Sequence, residues 1–570
     1  MFNPLSLLIS FFLVTFFGYT AAHTPTEWRT RIIYQIVTDR FAREEGSADY
    51  PCNPASNSYC GGSWKGIEQK LDYIRDLGFT AIWISPVDKN IEGDPNNAGQ
   101  AYHGYWNTNY EKLNEHFGTE DDLISLINAA HKYDIWVMID TVVNSMAFAG
   151  PYKDIDYSAV YPFNSEKYYH PYCIIDWNKN NKTNIQDCWQ NSGVLLADLD
   201  VESNSVKSYL NKHIKQAVQH YGYDGLRIDA VKMMNETFFP DFVKSSGVYA
   251  VGEVFDYDPK VICDYMNYDI GVTNYIVRLG FNFSFMAHDK FEPTEGFKTL
   301  KKQMELITTD TCSKADLGNM LIFLDNHDLP RYASYTDDQA IIMSAYSFAL
   351  LWDGIPSVYY GQEQGFYGGT DPSNREALWT SNYDQTNPYY TMIKTMVNFR
   401  KHVMEQDTKF TNDHYDIIDA DVDHVAAKKH DVLLIYNNLG IKSNGTVYKV
   451  PSQYSEKEVI SDVFGHRTLT VGQGGTVTAS LTSGYPMVLY PHTKLSDFSL
   501  PTINQTVMPS TARQKTTTVY TSYYSPTYST RSFAGSHSLI TMSSSHRAIP
   551  SFETLFFAFV FTTLAFIFFC

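Results

Sequence analysis

Basic residues are scarce in this chain of 570 residues, which has 44 lysines and arginines against 63 aspartates and glutamates. The formal net charge is −19 and the pI is about 5.3. A nucleic-acid partner would need a basic face to neutralise phosphates, so this balance argues against one. The chain also lacks a glycine-rich loop between a strand and a helix, which excludes the usual nucleotide-binding fingerprint.

A long apolar segment that could comfortably cross a membrane is also lacking. The run at residues 5–18 has the length of a signal-peptide core and is followed by Ala21 and Ala22, so we predict a signal peptide over residues 1–22. The terminal run, residues 555–570, would reach only about 24 Å as a helix, which is short of a hydrocarbon core of about 30 Å.

The C-terminal end instead matches the signal for a glycosylphosphatidylinositol (GPI) anchor. The small residues Ser543, Ser544 and Ser545 precede a polar spacer and the apolar tail, which predicts attachment at one of them and removal of residues 546–570. Residues 493–545 are rich in serine, threonine and proline and predict a disordered stalk. The protein would then lie at the extracellular surface, anchored in the plasma membrane or cell wall. An ordinary C-terminal membrane helix is the alternative.

Cysteine is sparse as well, with seven residues, of which Cys570 lies in the tail that we expect to be removed. The other six suggest three disulfides in a secreted chain. The simplest pairing without nesting joins Cys52 with Cys60, Cys173 with Cys188, and Cys263 with Cys312. Five N-glycosylation sequons fit the same route, at Asn181, Asn235, Asn282, Asn444 and Asn504.

What the chain does contain is a repeated alternation of short apolar runs and amphipathic stretches. Seven runs resemble buried strands, at residues 32–41, 79–87, 135–144, 225–231, 249–255, 320–328 and 355–363. Continuous apolar strands separated by helical patterns are typical of a parallel sheet covered by helices. About eight such units predict an α/β fold.

The predicted domains follow from this pattern. We expect a (β/α)8 TIM barrel over residues 23–403, with an inserted subdomain at about residues 145–199. Alternating short strands over residues 404–492 predict a C-terminal antiparallel β-sandwich domain.

Acidic residues stand at or just past the carboxyl ends of these strands, where such barrels carry their active sites. Two carboxyl groups about 5–5.5 Å apart are the machinery of a retaining glycosidase. Arg227 beside Asp229 predicts a low pKa for this carboxyl, as a nucleophile needs, and the apolar frame of Glu253 favours the protonated form of a general acid. A single acid at such a position is more simply explained by a structural ion pair. Three acids at strand ends, Asp229, Glu253 and Asp328, favour a catalytic role.

Four motifs in this order resemble the secreted fungal α-amylases of the retaining α-glycosidase superfamily: DTVVN (140–144), GLRIDAVK (225–232), GEVF (252–255) and FLDNHD (323–328). The resemblance implies that Asp229 is the nucleophile, Glu253 the acid/base and Asp328 the stabiliser of the transition state. It implies the same three disulfides. It also implies a set of substrate-binding residues: His103, Tyr105, Trp106, Arg227, Lys232, His327, Asp371 and Arg375.

The resemblance further implies a structural Ca²⁺ where the inserted subdomain meets the barrel. The matching positions are Asn144, Gln186, Asp198 and the backbone carbonyl of Met233. Oxygen ligands of this kind suit calcium. Gln186 replaces the acidic residue that the family pattern would have, which removes one negative charge from the site.

Two departures from the family pattern concern sugar binding, because Ser145 and Met233 stand where the motifs normally have histidines. Losing these hydrogen bonds would slow the reaction but leave its covalent chemistry intact. The principal prediction is a monomeric α-glucan hydrolase that cleaves internal α-1,4 bonds. The alternatives are a cell-wall α-glucan transglycosylase (4-α-glucanotransferase), favoured by an apolar acceptor side, and a weakly active glucan-binding wall protein.

Overall fold

The computed structural model describes residues 23–47, 52–179, 181–191, 193–275, 278, 280, 284–285, 295–305, 307, 316–441, 443, 446–496, 498 and 503. Several sequence predictions therefore lie outside the described residues: the signal peptide, the sequons at Asn282, Asn444 and Asn504, Cys312, the anchor serines, and almost all of the stalk. Over the part that is described, no helix is both long and apolar enough to cross a membrane.

Eight parallel strands form the first sheet, and each is buried along its whole length, which explains the unbroken apolar runs in the sequence. We label them β1 (Ile33–Ile36), β2 (Ala81–Ile84), β3 (Trp136–Thr141), β4 (Gly225–Ile228), β5 (Tyr249–Gly252), β6 (Gly271–Val272), β7 (Leu321–Ile322) and β8 (Ile355–Tyr359).

The sheet closes into a barrel. Strands β1 to β6 pair in order, β7 pairs with β8, and β8 pairs with β1 through Ile33 and Ser357. A parallel bridge between Thr273, just past β6, and Leu321 of β7 completes the circle. The predicted TIM barrel is therefore confirmed. The strand that the sequence patterns missed is β6, which has only two residues.

Helices cover the barrel: Pro25–Trp28, Thr38–Phe41, Trp64–Gln69, Leu71–Leu77, Glu120–Lys132, Asn204–Ala217, Phe239–Ser246, Pro259–Tyr265, Phe297–Glu305, Gln339–Leu351 and Pro388–Gln406. The first of them lies beneath the barrel, where the indole of Trp28 donates to the carbonyl of Asp224 at 3.1 Å. A Cβ on Gly225 would come within 2.6 Å of this ring, so glycine is needed at the start of β4.

The inserted subdomain begins directly after β3. Its antiparallel strands Ser145–Phe148, Gln190–Asn191 and Leu195–Asp198 pair so that Ser145 lies opposite Asp198. It also contains the helix Lys182–Asp187. A separate antiparallel pair, Asp88–Asn90 with Asn107–Leu113, follows β2.

Disulfides fasten the loops around the barrel. The pairing of Cys52 with Cys60 and of Cys173 with Cys188 is confirmed. Cys263 is disulfide-bonded as well. Its expected partner, Cys312, lies outside the described residues.

The C-terminal domain is antiparallel, as predicted. Its larger sheet has the strand order Asp416–Ala420, His424–Lys429, Val432–Asn437, Met487–Pro491, Val459–Asp462 and Arg467–Thr470, and its smaller sheet pairs Thr446–Pro451 with Thr476–Leu481. Side chains of both sheets share an apolar cluster of their own. The predicted boundary at residue 403 falls inside the helix Pro388–Gln406, which packs on the barrel.

Candidate active site

A single buried arginine organises the carboxyl end of the barrel. Arg227 on β4 is only 1% exposed, and its Nη1 lies 2.9 Å from Asp140 of β3 and 2.6 Å from Asp229. Its Nη2 lies 2.9 Å from Glu253, just past β5. One planar guanidinium therefore holds carboxylates from three neighbouring strands, and it sets Asp229 and Glu253 side by side as a retaining pair requires.

The backbone after the nucleophile position is unusual. Ala230 has φ 52° and ψ 34°, a left-handed conformation that residues with a side chain rarely adopt. In this conformation the Ala230 N–H donates to Glu253 Oε2 at 3.2 Å. The hydroxyl of Tyr275 donates to the other carboxylate oxygen, also at 3.2 Å. Both oxygens of Glu253 are thus fixed by the protein, which sets the orientation of this carboxyl group.

The third acid, Asp328, lies past β7 between two further groups. Arg375 Nη2 is 3.5 Å from its Oδ1, and His327 Nε2 is 3.3 Å from its Oδ2. Burial lowers the pKa of His327 well below its usual range. Its Nδ1 accepts from the Gln35 amide at 3.0 Å, so the single ring proton sits on Nε2 and points toward Asp328.

The three acids reach the surface whereas the arginines do not. The side chains of Asp229, Glu253 and Asp328 are 21%, 11% and 18% exposed, against 1% for Arg227 and for Arg375. The carboxyl groups therefore face an open mouth, and the cations support them from below. This arrangement lets the acids meet a ligand without breaking the ion pairs.

The expectation of a low pKa for Asp229 is wrong. Burial raises the pKa of this carboxyl to about 7, and Arg227 only partly opposes the rise because it also serves Asp140 and Glu253, whose own charges raise the pKa further. Burial, followed by the charge of Glu253, raises the pKa of Asp328 well above its usual range. The mouth therefore holds more acid than its cations neutralise.

Aromatic rings form one wall of the mouth. Tyr105 stacks on His327 with ring centroids 5.0 Å apart and an angle of 2° between the planes. Its hydroxyl donates to Asp140 at 2.7 Å, which ties the ring to the network of Arg227. His103 contacts both Tyr105 and Trp106. The structure thus gathers the three predicted aromatic positions and His327 into one group, in which Tyr105 is the most exposed ring, at 8%, and the one that a sugar could reach.

The other predicted substrate residues divide into two groups. Asp371 lies 3.0 Å from Arg375, so these two join the group around Asp328. Lys232 lies on the opposite side, where its Nζ contacts Asp256 at 2.8 Å and the carbonyl of Phe255 at 3.4 Å. Asp256 was not among the predicted residues. The apolar patterns gave no signal for it, because it lies in a loop beyond the GEVF motif.

Three of the predicted calcium positions meet. The side-chain amide of Asn144 lies 2.7 Å from Asp198 Oδ1 and 3.2 Å from the carbonyl of Met233. The amide nitrogen and oxygen are interchangeable assignments in a side chain of this kind, and exchanging them would place an Asn144 oxygen beside those of Asp198 and Met233. Burial raises the pKa of Asp198 to about 7. A buried carboxylate among oxygens is a donor set that fits Ca²⁺.

Gln186 does not join these three in the structure. Its amide donates to the carbonyl of Met234 at 2.8 Å and to Glu236 at 3.1 Å. The negative charge that the family pattern places at position 186 is therefore supplied nearby by Glu236, which also forms an ion pair with Lys182.

The two substituted positions lie where the inserted subdomain meets the barrel: Ser145 begins the subdomain and Met233 follows β4. Met233 is 8% exposed and packs in a small apolar cluster with Ile175, Ile185 and Cys188. Gln190 contacts its sulfur. Ser145 is buried in the sheet of the subdomain, opposite Asp198. Neither side chain carries a charge toward the catalytic acids.

Two of the sequons are described, and both cap short helices. The Asn181 side chain accepts from the N–H of Asn184, and the Asn235 side chain accepts from the N–H of Thr237. Asn181 is exposed and Asn235 is half-buried. Asn181 is therefore the more accessible of the two for glycosylation.

A closed parallel barrel with three carboxyl groups and a stacking wall at its carboxyl mouth defines a glycoside hydrolase. The family models agree with this geometry: that of the α-amylase catalytic domain matches residues 35–424, and that of α-amylase domain C matches residues 417–508. The chain belongs to the α-amylase family of glycosidases.

Fungal α-amylases are among its relatives. It is 61% identical to Alpha-amylase 3 of Schizosaccharomyces pombe over 549 residues, covering 96% of each chain. It is 42% identical to the α-amylase of Saccharomycopsis fibuligera over 474 residues, covering 83% of this chain and 93% of that one. The solved α-amylase of Malbranchea cinnamomea superposes with a TM-score of 0.79 at 38% identity, covering 83% of this chain and 99% of that structure.

Proposed function

We propose that this glycosidase cleaves internal α-1,4 bonds of a starch-like or cell-wall α-glucan with retention of configuration. The observation that carries the proposal is the guanidinium of Arg227, which holds Asp229 and Glu253 side by side. Two carboxyl groups bound to the two terminal nitrogens of one guanidinium suit a nucleophile and an acid/base acting on the same bond, as in a retaining glycosidase.

The chemistry follows from these positions. Asp229 attacks the anomeric carbon while Glu253 protonates the departing glycosidic oxygen, which leaves a glycosyl ester on Asp229. Glu253, now ionised, takes a proton from water, and this water breaks the ester. Asp328 accepts hydrogen bonds from hydroxyls of the ring as positive charge develops, and Tyr105 stacks on the sugar at the cleaved bond.

The test is the stereochemistry and size of the products from maltoheptaose. We expect shorter products only, released in the α configuration when followed by NMR. Initial release in the β configuration would contradict the retaining pair. A Glu253→Gln variant should lose activity on maltoheptaose but still release a rapid burst of about one fluoride per enzyme from α-maltosyl fluoride, since fluoride leaves without a proton; turnover after the burst should be slow, because Glu253 also activates the water. Absence of the burst would remove the acid role from Glu253.

The transglycosylase alternative is not favoured. It depended on an apolar acceptor side formed by Met233, but this thioether is only 8% exposed and packs against Ile175 and Ile185 of the inserted subdomain. Products longer than maltoheptaose in the same experiment would restore it.

Two finer properties belong to the proposal. Calcium would be held by Asn144, Asp198 and the Met233 carbonyl, where it would join the inserted subdomain to the barrel. The chain would be attached to the cell surface by a GPI anchor, which the small residues, spacer and apolar tail of the sequence support. Release of the protein from intact cells by a phosphatidylinositol-specific phospholipase C would test the anchor, and retention after that treatment would favour a membrane helix.

A further inference from the structure

A large cavity lies outside the barrel, behind strand β3. Its volume is about 930 Å³, and its walls come from β3, the end of the helix Asn204–Ala217, and the strand Asn107–Leu113. Small-molecule sites typically occupy about 300–1,000 Å³. The side chain of Asp140 on β3 turns the other way, to Arg227 inside the barrel. The cavity is therefore separate from the catalytic mouth although both use the same strand.

Polar groups in the cavity wall lack protein partners. Tyr223 is 4% exposed, and its hydroxyl has no hydrogen-bond partner in the described part of the chain. Over the same residues no hydrogen bond or ion pair is found for the carboxyl of Asp88, and the ring of His213 makes only stacking and edge contacts with Tyr110 and Tyr209. Asp88 and His213 are half-buried and Tyr223 is buried, and a buried hydroxyl without a partner is rare, so Tyr223 indicates a ligand that supplies a hydrogen bond at this wall.

These inner groups are uncharged near neutral pH. Burial, reinforced by the charge of Glu111, raises the pKa of Asp88 to about 8, so this carboxyl keeps its proton. Burial lowers the pKa of His213. A protonated carboxyl, a neutral imidazole and a phenol offer both donors and acceptors, which matches a ligand that carries several hydroxyl groups.

The other residues around the cavity limit the class of ligand that it could bind. Tyr221 is half-buried at the cavity and stacks on the buried Tyr223, so its outer face is an apolar ring surface of the kind on which a sugar stacks. Glu111, Glu115 and Glu120 outnumber the cation Lys112 around the same cavity, so an anionic ligand would be repelled.

We propose that this cavity is a second, noncatalytic binding site for a short neutral α-glucoside such as maltose. The choice of glucoside rests on the proposed function, because maltose is the kind of product that such an enzyme releases. The presence of the site rests on the cavity alone. The acidic surroundings would also admit an organic cation, which the experiment must separate from the sugar.

The experiment is a calorimetric titration of the full processed protein carrying Asp229→Asn, which prevents turnover. Maltose should bind at two sites in this protein. An added Ala217→Trp change, which places an indole at the cavity wall, should leave one. The matched control is Lys212→Trp on the same helix, since Lys212 is exposed and does not line the cavity. It should keep both sites.

A milder variant tests the same site with less risk that the protein misfolds. Tyr223→Phe removes only the unpartnered hydroxyl and should weaken maltose binding at the second site by about five- to tenfold, with the catalytic site unchanged. If the Asp229→Asn protein binds maltose at one site only, and Ala217→Trp does not remove that site, the inference is overturned and the proposed function stands. No maltose binding at either site would overturn the proposed function itself. Binding of glucosamine, but not maltose, to the cavity would replace the sugar by a cation.

Discussion

The two sides of the mouth contrast in how closely they follow the family pattern. On one side, the acids at the ends of β4, β5 and β7 are all present and are joined to Arg227 or Arg375. On the other side, at the junction with the inserted subdomain, Ser145 and Met233 replace histidines and Gln186 replaces an acid. The contrast teaches that the supporting junction can change while the cleavage machinery is kept, even where Met233 lies only four residues after Asp229.

The largest expected effect tests the catalytic side. Asp229→Asn should lower kcat on maltoheptaose by about 10⁴-fold or more, because an amide cannot form the glycosyl ester. The melting temperature should stay the same or rise, since a carboxyl crowded by Glu253 and Asp140 is removed. Asp241→Asn, at an exposed helix position, is the matched control and should be silent. Full activity of Asp229→Asn would remove the nucleophile from this position.

The next effect tests the junction. With calcium at about 100 times its dissociation constant, the ratio of folded to unfolded protein should rise about 100-fold over the chelated protein, visible as a higher melting temperature. Asp198→Asn should abolish the difference between chelated and calcium-loaded protein, and Asp154→Asn, at an exposed position of the inserted subdomain, should preserve it. If chelation does not change the melting temperature of the unmodified protein, the junction is stable without metal.

The pH dependence measures how far the acids on the catalytic side influence one another. Asp229 must be ionised to attack, and its pKa is raised to about 7, so the fraction in the active form falls as the pH drops through 7. We expect kcat/KM to lose up to about tenfold per pH unit below that point. A decline of kcat/KM centred near pH 4, the ordinary pKa range of an aspartate, would mean that the charge of Arg227 outweighs burial in setting the pKa of Asp229.

The smallest effect concerns the substituted histidine. Met233→His should raise kcat/KM by about fivefold if the new ring reaches the substrate, the worth of one hydrogen bond. It should also lower the melting temperature, because a polar ring would enter the cluster of Ile175, Ile185 and Cys188. Met233→Leu preserves size without a donor and should change neither quantity much. A gain in rate with Leu would show that packing, rather than a hydrogen bond, limits this side.

Long apolar runs made most of the barrel predictable, and its short elements did not. Residues 225–231 contain a buried strand followed by an acid, and the structure has β4 and Asp229 there. Strand β6 has two residues and no pattern of its own, so Tyr275, which lies just past it and binds Glu253, was missed. Local sequence shows only neighbours along the chain, and Tyr275 meets Glu253 through barrel closure.

The error on Asp229 has the same origin. The sequence places Arg227 two residues away and so predicts a low pKa. It does not show that Asp140 and Glu253, from the strands on either side, share the same guanidinium. Likewise the sequence marks Gln186 as a lost charge, but only the fold brings Glu236 beside it. Pairwise electrostatics across strands depend on register, which no local pattern gives.

The helix Pro25–Trp28 has a practical consequence for anyone who handles this protein. Its indole covers the floor of the barrel against Gly225, at the opposite end of the strand that leads to Asp229. A purification tag, fusion joint or protease site placed downstream of Trp28 would uncover that floor and loosen β4 from below. Expression designs should therefore keep residues 23–28 intact and put any added sequence ahead of them.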